Sequence, residues 1–300
     1  GDIRTNISLN KYDQISFFEL FFAANIGYID ILLQYDSLSH YKNININQLY
    51  NNNTILMIAA YNGHALIIKI LYYLFKNIID VNVTNSKGYT AIMLSGINGH
   101  HECIEILYKC YGNAINVNTV DKDNNNAIKL SILHGNHECV KILHKYFDNI
   151  IDINAPIQYD KSPIQYSATK NYSECIKILY QCFGNTIDIN QVDKDGDTAL
   201  MLAVLYNRPD CIKILYQCFG NIIDINQTNS SKYSAIATAA TYGYCECIKV
   251  LYECYGDTIN VNQIDQYTNP MIIAATNRDY ECIQLLYTYF GNNIDLTNFN

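Results

Sequence analysis

Apolar and polar positions along this chain recur on a ruler of 36 residues, unbroken from Thr90 to Ser234. Glu102-Cys103-Ile104 returns as Glu138-Cys139-Val140, Glu174-Cys175-Ile176, Asp210-Cys211-Ile212 and Glu246-Cys247-Ile248, and Glu281-Cys282-Ile283 follows after 35. A period of roughly 20–50 residues marks a solenoid, in which each unit packs only on its neighbours. The pattern therefore predicts one elongated domain. It also predicts an extended surface rather than a deep catalytic pocket.

Within residues 90–125 the pattern predicts two helices and a finger. Thr90 opens the first helix, and its equivalents are Thr54, Asn126, Ser162, Thr198, Ser234 and Asn269. All are residue types whose side-chain oxygen satisfies a free backbone N–H at a helix start. Gly99 closes it, matched by Gly27, Gly63, Gly135, Asn171, Asn207 and Gly243, types that accept the left-handed conformation; only Arg278 departs. The second helix starts on an acid, favourable at the positive end of the helix dipole. Lys141, Lys177, Lys213 and Lys249 stand three residues after the acids and are placed to pair with them. Its apolar face runs Cys103, Ile104, Ile106, Leu107, Cys110 and Tyr111. Gly112, Gly184, Gly220, Gly256 and Gly291 end it.

Two aromatic ladders keep the same spacing: Tyr72, Tyr108, Tyr180, Tyr216, Tyr252 and Tyr287, and Phe75, Tyr111, Phe147, Phe183, Phe219, Tyr255 and Phe290. Rings at repeat spacing read as core. The alternation Ile115-Asn116-Val117-Asn118 or Ile187-Asp188-Ile189-Asn190 predicts an extended segment with one face buried. A polar turn such as Asp193-Lys194-Asp195-Gly196 leads to the next cap.

The unit resembles the ankyrin repeat. Thr198-Ala199-Leu200-Met201-Leu202-Ala203 and Thr54-Ile55-Leu56-Met57-Ile58-Ala59-Ala60 are similar to the family's first helix, Gly63-His64 and Gly99-His100 to its turn, and Ile187-Asp188-Ile189-Asn190 to its finger. The resemblance covers about residues 14–298, roughly eight units, and implies an all-α ankyrin repeat solenoid. It divides the chain into an extension (1–13), an N-terminal capping repeat (14–50), six repeats (51–263) and a C-terminal repeat or cap (264–300) ending in a polar tail from Thr297. Two departures stand out. The family's first-helix His is replaced by Met57, Met93, Lys129, Gln165 and Met201, so its hydrogen bonds between repeats must be replaced or lost. The unit is also three residues longer than the family's, and the surplus lies after Leu107, which predicts a second helix prolonged by nearly a turn. In the first unit Phe18 stands at the cap position, among Phe17, Leu20, Phe21 and Phe22.

Composition narrows the partners. A net charge of −8 argues against nucleic acid or an anionic membrane surface, and no apolar run approaches the roughly 18 residues of a membrane span. Abundant Asn, Ile, Lys and Tyr reflect AT-rich codons rather than chemistry. Ten of the 11 cysteines lie on two repeat positions, Cys103, Cys139, Cys175, Cys211, Cys247 and Cys282, and Cys110, Cys182, Cys218 and Cys254. Stacked repeats about 10 Å apart are too distant for disulfides, which need Cα atoms within about 7 Å. Free, buried cysteines in a reducing compartment follow, with neither metal nor cofactor expected. Five histidines, His100, His101, His134, His137 and His144, lie close in sequence, but mostly at the Gly-His turn. Asp121/Asp123 and Asp193/Asp195/Asp197 resemble pieces of a calcium loop, yet the closing acid is missing, with Val204 twelfth from Asp193. No catalytic or phosphate-binding motif appears.

What repetition does not dictate is where binding is expected. The finger tips vary, giving Tyr89, Ile157, Tyr159, Lys161, Asp197 and Tyr233 as candidates. The fifth finger, Ala155-Pro156-Ile157-Gln158-Tyr159, carries apolar residues that are unfavourable on a tip unless covered, by a partner or by the neighbouring finger. First-helix ends add Tyr61, Ile97, Leu133, Leu205, Tyr206 and Tyr242, apolar where the family is usually polar; a groove for a partner segment, or burial by a re-tilted repeat, would account for them. The expected function is a non-enzymatic protein-interaction scaffold, monomeric and cytoplasmic, or acting in host cytosol if it is a pathogen effector. The alternatives are a targeting module of a larger enzyme and a self-assembling structural solenoid.

Overall fold

The computed structural model describes residues 16–33, 44–147, 152–262, 268–291 and 293–294. The expected N-terminal extension, residues 1–13, and the tail from Thr297 lie outside the described residues. The described residues form sixteen α-helices and no strand beyond two isolated bridges. Where the unbroken period predicts one domain, the chain divides into two units, Gly1–Ile150 and Ile151–Asn300. The first holds α1 (Phe17–Ile26), α2 (Ile29–Leu33), α3 (Ile55–Tyr61), α4 (Ala65–Phe75), α5 (Ala91–Ile97), α6 (His101–Tyr111), α7 (Ala127–Leu133) and α8 (His137–Tyr146). The second holds α9 (Pro163–Lys170), α10 (Ser173–Phe183), α11 (Ala199–Leu205), α12 (Pro209–Phe219), α13 (Ala235–Tyr242), α14 (Cys245–Tyr255), α15 (Pro270–Thr276) and α16 (Tyr280–Phe290).

Local chemistry sets the helix limits. The side chains of Thr54, Thr90, Asn126, Thr198, Ser234 and Asn269 accept backbone N–H groups of the first turn. At Ser162 the support comes from Gln165, whose Oε1 accepts the Ser162 N–H at 2.8 Å. The first unit differs from expectation: Ser16, two residues before Phe18, caps α1 in a reciprocal pair with Glu19. Prolines 163, 209 and 270 all open helices, where their missing N–H costs nothing. The Gly-His turn joins repeats. Gly63 is at φ +79°, and a Cβ there would lie 2.8 Å from the ring of His100, whose Nε2 donates to the Tyr61 carbonyl at 3.0 Å. Arg278 adopts the same left-handed conformation at φ +56° without being glycine.

Within each unit, first helices pack on first helices and second on second. Small residues let the first helices approach: Ala59, Ala60, Ala91, Ala127, Ala199, Ala203, Ala235 and Ala239 are all at most 1% exposed. The two aromatic ladders interlock. Five of the six rings of the first ladder meet, edge to face, a ring of the second ladder one repeat on: Tyr72–Tyr111, Tyr108–Phe147, Tyr180–Phe219, Tyr216–Tyr255 and Tyr252–Phe290, with centroids 5.0–5.2 Å apart. Each such pair contributes about 0.5–1.5 kcal/mol beyond its area. Of the predicted Glu/Asp–Lys pairs, Lys141, Lys177 and Lys249 meet their acids, whereas Lys213 reaches Glu253 of the next repeat. These exposed pairs contribute little.

The second helix is not prolonged. After Tyr111, Gly112 turns to φ +47° and ψ −125°, a conformation that cannot continue an α-helix, and Gly112–Ala114 form a 3₁₀ turn. Gly184–Thr186, Gly220–Ile222 and Gly256–Thr258 do the same. The alternating tetrapeptide that follows is extended only at its first residue, Ile115 or Ile187, and then bends into a turn. Its apolar residues do point inward, Ile187 at 6% and Ile189 at 3% exposure. Its first polar residue holds the second: Asp188 Oδ1 accepts the Asn190 N–H at 3.2 Å, as Asp80, Asn116, Asp152, Asp224 and Asn260 do at their positions.

The second polar residue then clamps the next repeat with both ends of its amide. Asn190 Nδ2 donates to the Ile222 carbonyl, the last of the next 3₁₀ turn, at 2.8 Å, while its Oδ1 accepts the Asp224 N–H at 2.9 Å. Asn47, Asn82, Asn154 and Asn226 make the same two bonds. In the four clamps past the first, Asn82, Asn154, Asn190 and Asn226, the acceptor carbonyl belongs to the residues by which this unit exceeds the family's. The surplus and the asparagine ladder are one device.

Two outcomes are expected. Asn190→Asp keeps the shape but removes the donor toward the Ile222 carbonyl. It should lower stability by about 0.5–1.5 kcal/mol, one ordinary hydrogen bond, while Asn190→Ser loses both bonds and should cost about twice as much; denaturant unfolding showing no loss in either variant would refute the ladder's role. Gly63→Ala and Gly112→Ala should both lower the melting temperature, because each glycine holds a positive φ; at Gly63 the added Cβ also strikes the His100 ring, whereas at Gly112 it meets nothing within 4 Å and strain acts alone. The comparison is made by thermal melts of the two variants.

Candidate functional site

Four finger tips close in the same way. Asn85, Asp121, Asp193 and Asn229 each accept, on Oδ1, the N–H groups two and four residues on. Of the five aspartates that resemble pieces of a calcium loop, Asp121 and Asp193 are thus engaged by backbone. The fifth finger carries Ile157 at this position and has no such acceptor. Its loop closes through backbone alone, Ile157 N–H to the Lys161 carbonyl at 2.9 Å and Lys161 N–H to the Gln158 carbonyl at 3.0 Å. Tyr159 and Asp160 pay with φ of +52° and +58°, values that bulky residues seldom adopt. Tyr159 stands 69% exposed at this tip, and Ile157 is half-buried.

Two candidates are corrected by burial. Lys161 and Asp197, expected as exposed charges on finger tips, are struts between fingers. Lys161 is 8% exposed, and its Nζ lies 2.5 Å from Asp193 Oδ2 on the next finger, a carboxylate with no exposed side-chain surface. Asp197 is 7% exposed and accepts from Asn229 Nδ2 at 2.9 Å. Burial pushes its carboxyl above the usual range, and the Asn229 bond opposes the shift. Asn85 Nδ2 makes the corresponding contact to Asn53 Oδ1. The fifth position of one finger meets the first of the next, so these residues cannot vary freely for a partner. Tyr89 and Tyr233 occupy that fifth position too and are half-buried; burial and the carboxylates of Asp121 and Asp123 raise the Tyr89 hydroxyl.

The ends of the first helices separate the two units. Ile97 and Leu133, the last residues of α5 and α7, are half-buried, as is Leu205 at the end of α11; Tyr61 is 46% exposed. One residue further on, the N-terminal unit places polar caps. Asn62 Nδ2, Asn98 Nδ2 and His134 Nδ1 bond to the carbonyls of Ile58, Leu94 and Leu130, each of which also accepts the backbone N–H of the same residue. The C-terminal unit places Lys170, Tyr206 and Tyr242 in that row, on helices that pack in sequence. Tyr206 is 45% and Tyr242 55% exposed, and Tyr242 stacks on Tyr244 with centroids 5.6 Å apart. Neither ring is needed to cap a helix. Lys170, which the sequence reading passed over, is exposed, with its ammonium 5.6 Å from the Tyr166 ring centroid.

The buried cysteines Cys103, Cys139, Cys175, Cys211 and Cys247 have thiols pushed up to about 12 by desolvation, which keeps them protonated. Cys211 and Cys247 donate to Asn171 and Asn207 Oδ1, both at 3.3 Å. The distance argument against cysteine pairing fails at one place. Cys245, the one cysteine off both ladders, lies with Sγ 3.2 Å from Cys282 Sγ. Being two residues ahead of Cys247, it sits at the start of α14 rather than in the helix interior.

The model of the family described as ankyrin repeats, three copies, matches residues 20–108, 70–156, 145–229 and 217–298. Among solved structures, the ankyrin repeat domain of Bcl-3, a member of the IkappaB protein family, superposes with TM-score 0.63 at 20% identity, covering 79% of this chain and 99% of that one. The human ASB11 ankyrin repeat domain gives 0.60 at 20% identity, covering 79% and 98%. A chain in the complex of the predatory endopeptidase Bd0816 from Bdellovibrio bacteriovorus with its immunity protein Bd3460 gives 0.53 at 21% identity, covering 69% and 99%. No curated protein matches the sequence. No helix among the described residues is long and apolar enough to cross a membrane. Family match, helix–turn–helix–finger unit and structural neighbours agree: the chain belongs to the ankyrin repeat family.

Proposed function

We propose that this chain is a non-enzymatic scaffold that binds a polypeptide through the C-terminal unit, with Tyr206 and Tyr242 as anchors. Ankyrin repeats are in general protein–protein interaction modules. The observation that carries the reading is the exposure of Tyr206 and Tyr242 in successive repeats, at the position where Asn62, Asn98 and His134 fold back on their own helices. Tyrosine brings a large, rigid contact surface at low conformational cost and is enriched among residues that dominate interface energy. Tyr159, held at a strained and exposed tip, is a third contact on the same unit. Lys161 and Asp197 take no part, because both are engaged inside the finger row. The free, buried ladder thiols support a reducing compartment, and the monomeric state is read out by light scattering.

The test compares capture from lysates of the source organism and of a host cell by the wild type, Tyr206→Ala/Tyr242→Ala, and Tyr73→Ala. Tyr73 lies on α4 and is 79% exposed, a tyrosine outside the proposed row. Truncating exposed rings should move stability by no more than about 0.5 kcal/mol, checked by melting each variant. A named protein retained by the wild type and Tyr73→Ala, and weakened by about 2 kcal/mol or more in the double variant, supports the assignment. Equal affinity for all three removes the tyrosine row as the binding surface.

A further inference from the structure

Cys245, Asp279 and Cys282 bring one ligand atom each into a space in which all three lie within 4.8 Å of one another. They come from three places in the fold: the first residue of α14, the residue capping α16, and the third residue of α16. Two of the three stand at positions that vary from repeat to repeat. Cys245 stands where the other repeats have His101, His137, Ser173 and Pro209, and Asp279 where they have His100, Asn136, Tyr172, Arg208 and Tyr244. In the two preceding intervals the ladder thiol donates to an asparagine; here that position is Gly243, and Asp279 Oδ2 occupies the room that a side chain would need, 2.8 Å from where a Cβ would stand. Two variable positions thus place a thiol and a carboxylate beside one ladder cysteine, a combination that the sequence gives at no other of these repeats.

We propose that these three side chains form a binding site for a soft to borderline divalent cation of the zinc class, clamping α16 to α14, with a fourth position open to water or to a group from a partner. Two thiolates and a carboxylate are a donor set suited to that ion. Both thiols lie in the first turns of 11-residue helices, whose positive ends favour anionic ligands. Asp279 Oδ1 accepts the Cys282 N–H at 3.1 Å, which orients the carboxylate and fixes it beside the thiols. Tetrahedral zinc with Zn–S bonds of about 2.3 Å sets its sulfurs about 3.8 Å apart, so the observed 3.2 Å must open by roughly half an ångström. Cys245 is half-buried at a helix start, which supplies both the freedom to move and a path of entry, whereas Cys282 is fully buried. Binding displaces the two thiol protons to solvent, and no redox step is involved.

The test uses the full chain, reduced with a phosphine and freed of metal. Equilibrium dialysis against zinc should give one ion per chain, and cobalt(II) should develop a thiolate-to-metal charge-transfer band. The melting temperature should rise with zinc concentration. Cys245→Ser and Asp279→Asn should each weaken binding at least about tenfold, while Cys254→Ser, a half-buried cysteine on the opposite end of α14, should not. Absence of stoichiometric binding, or binding unchanged in Cys245→Ser, overturns the site. So does recovery of the purified chain with Cys245 and Cys282 joined as a disulfide, if reduction restores no metal binding.

Discussion

An asparagine amide that donates and accepts at once is the constraint on which the stacking of each unit depends. A repeat has no core of its own; it is ordered by what its neighbour offers. Asn82, Asn154, Asn190 and Asn226 each grip the next repeat at a carbonyl and an N–H two residues apart. That pairing fixes the translation between repeats as well as their spacing. The preceding Asx residue holds the asparagine's own backbone, so the amide arrives already oriented. The 3₁₀ turn is what brings the acceptor carbonyl to the right height, and its glycine is what allows the turn.

The same economy answers the missing histidine of the first helix. At one repeat the bonds between repeats survive in another form: Gln165 Nε2 reaches the carbonyls of Gln191 and Asp197. Where Met57, Met93 and Met201 stand, the position is buried and apolar, and cross-repeat hydrogen bonding passes to the asparagine ladder, the Gly-His turn and the fingers. The aromatic interlock adds a directional contact on the second-helix side. Each repeat is thereby held at its finger, its helix turn and its helix end, by three kinds of interaction that fail under different conditions.

Where the fold is satisfied, residues are not available for recognition. The finger tips vary in sequence, which made them natural candidates, but variation there is partly compensated substitution. Lys161 replaces a neutral partner because it meets Asp193, and Asp197 is matched by Asn229. Among the candidate residues, Tyr159, Tyr206 and Tyr242 stand exposed without serving as a cap or strut. Surplus after structural accounting is a stricter criterion for function than variability.

The sequence by itself determined the period, most helix starts, the identity of the buried faces and the family, because each rests on local or strictly repeating chemistry: a capping oxygen, a glycine at positive φ, an apolar stripe. Only the tertiary structure decided what the side chains of neighbouring repeats do to one another. That Gly112 ends its helix in a 3₁₀ turn depends on the acceptor that the preceding repeat needs. That Lys161 is buried depends on a carboxylate 32 residues away, and that Cys245 meets Cys282 depends on a side chain 37 residues along. A period states which residues occupy equivalent places. It does not state which atoms of adjacent places touch, and hydrogen bonds, ion pairs and ligand sites are made at that scale.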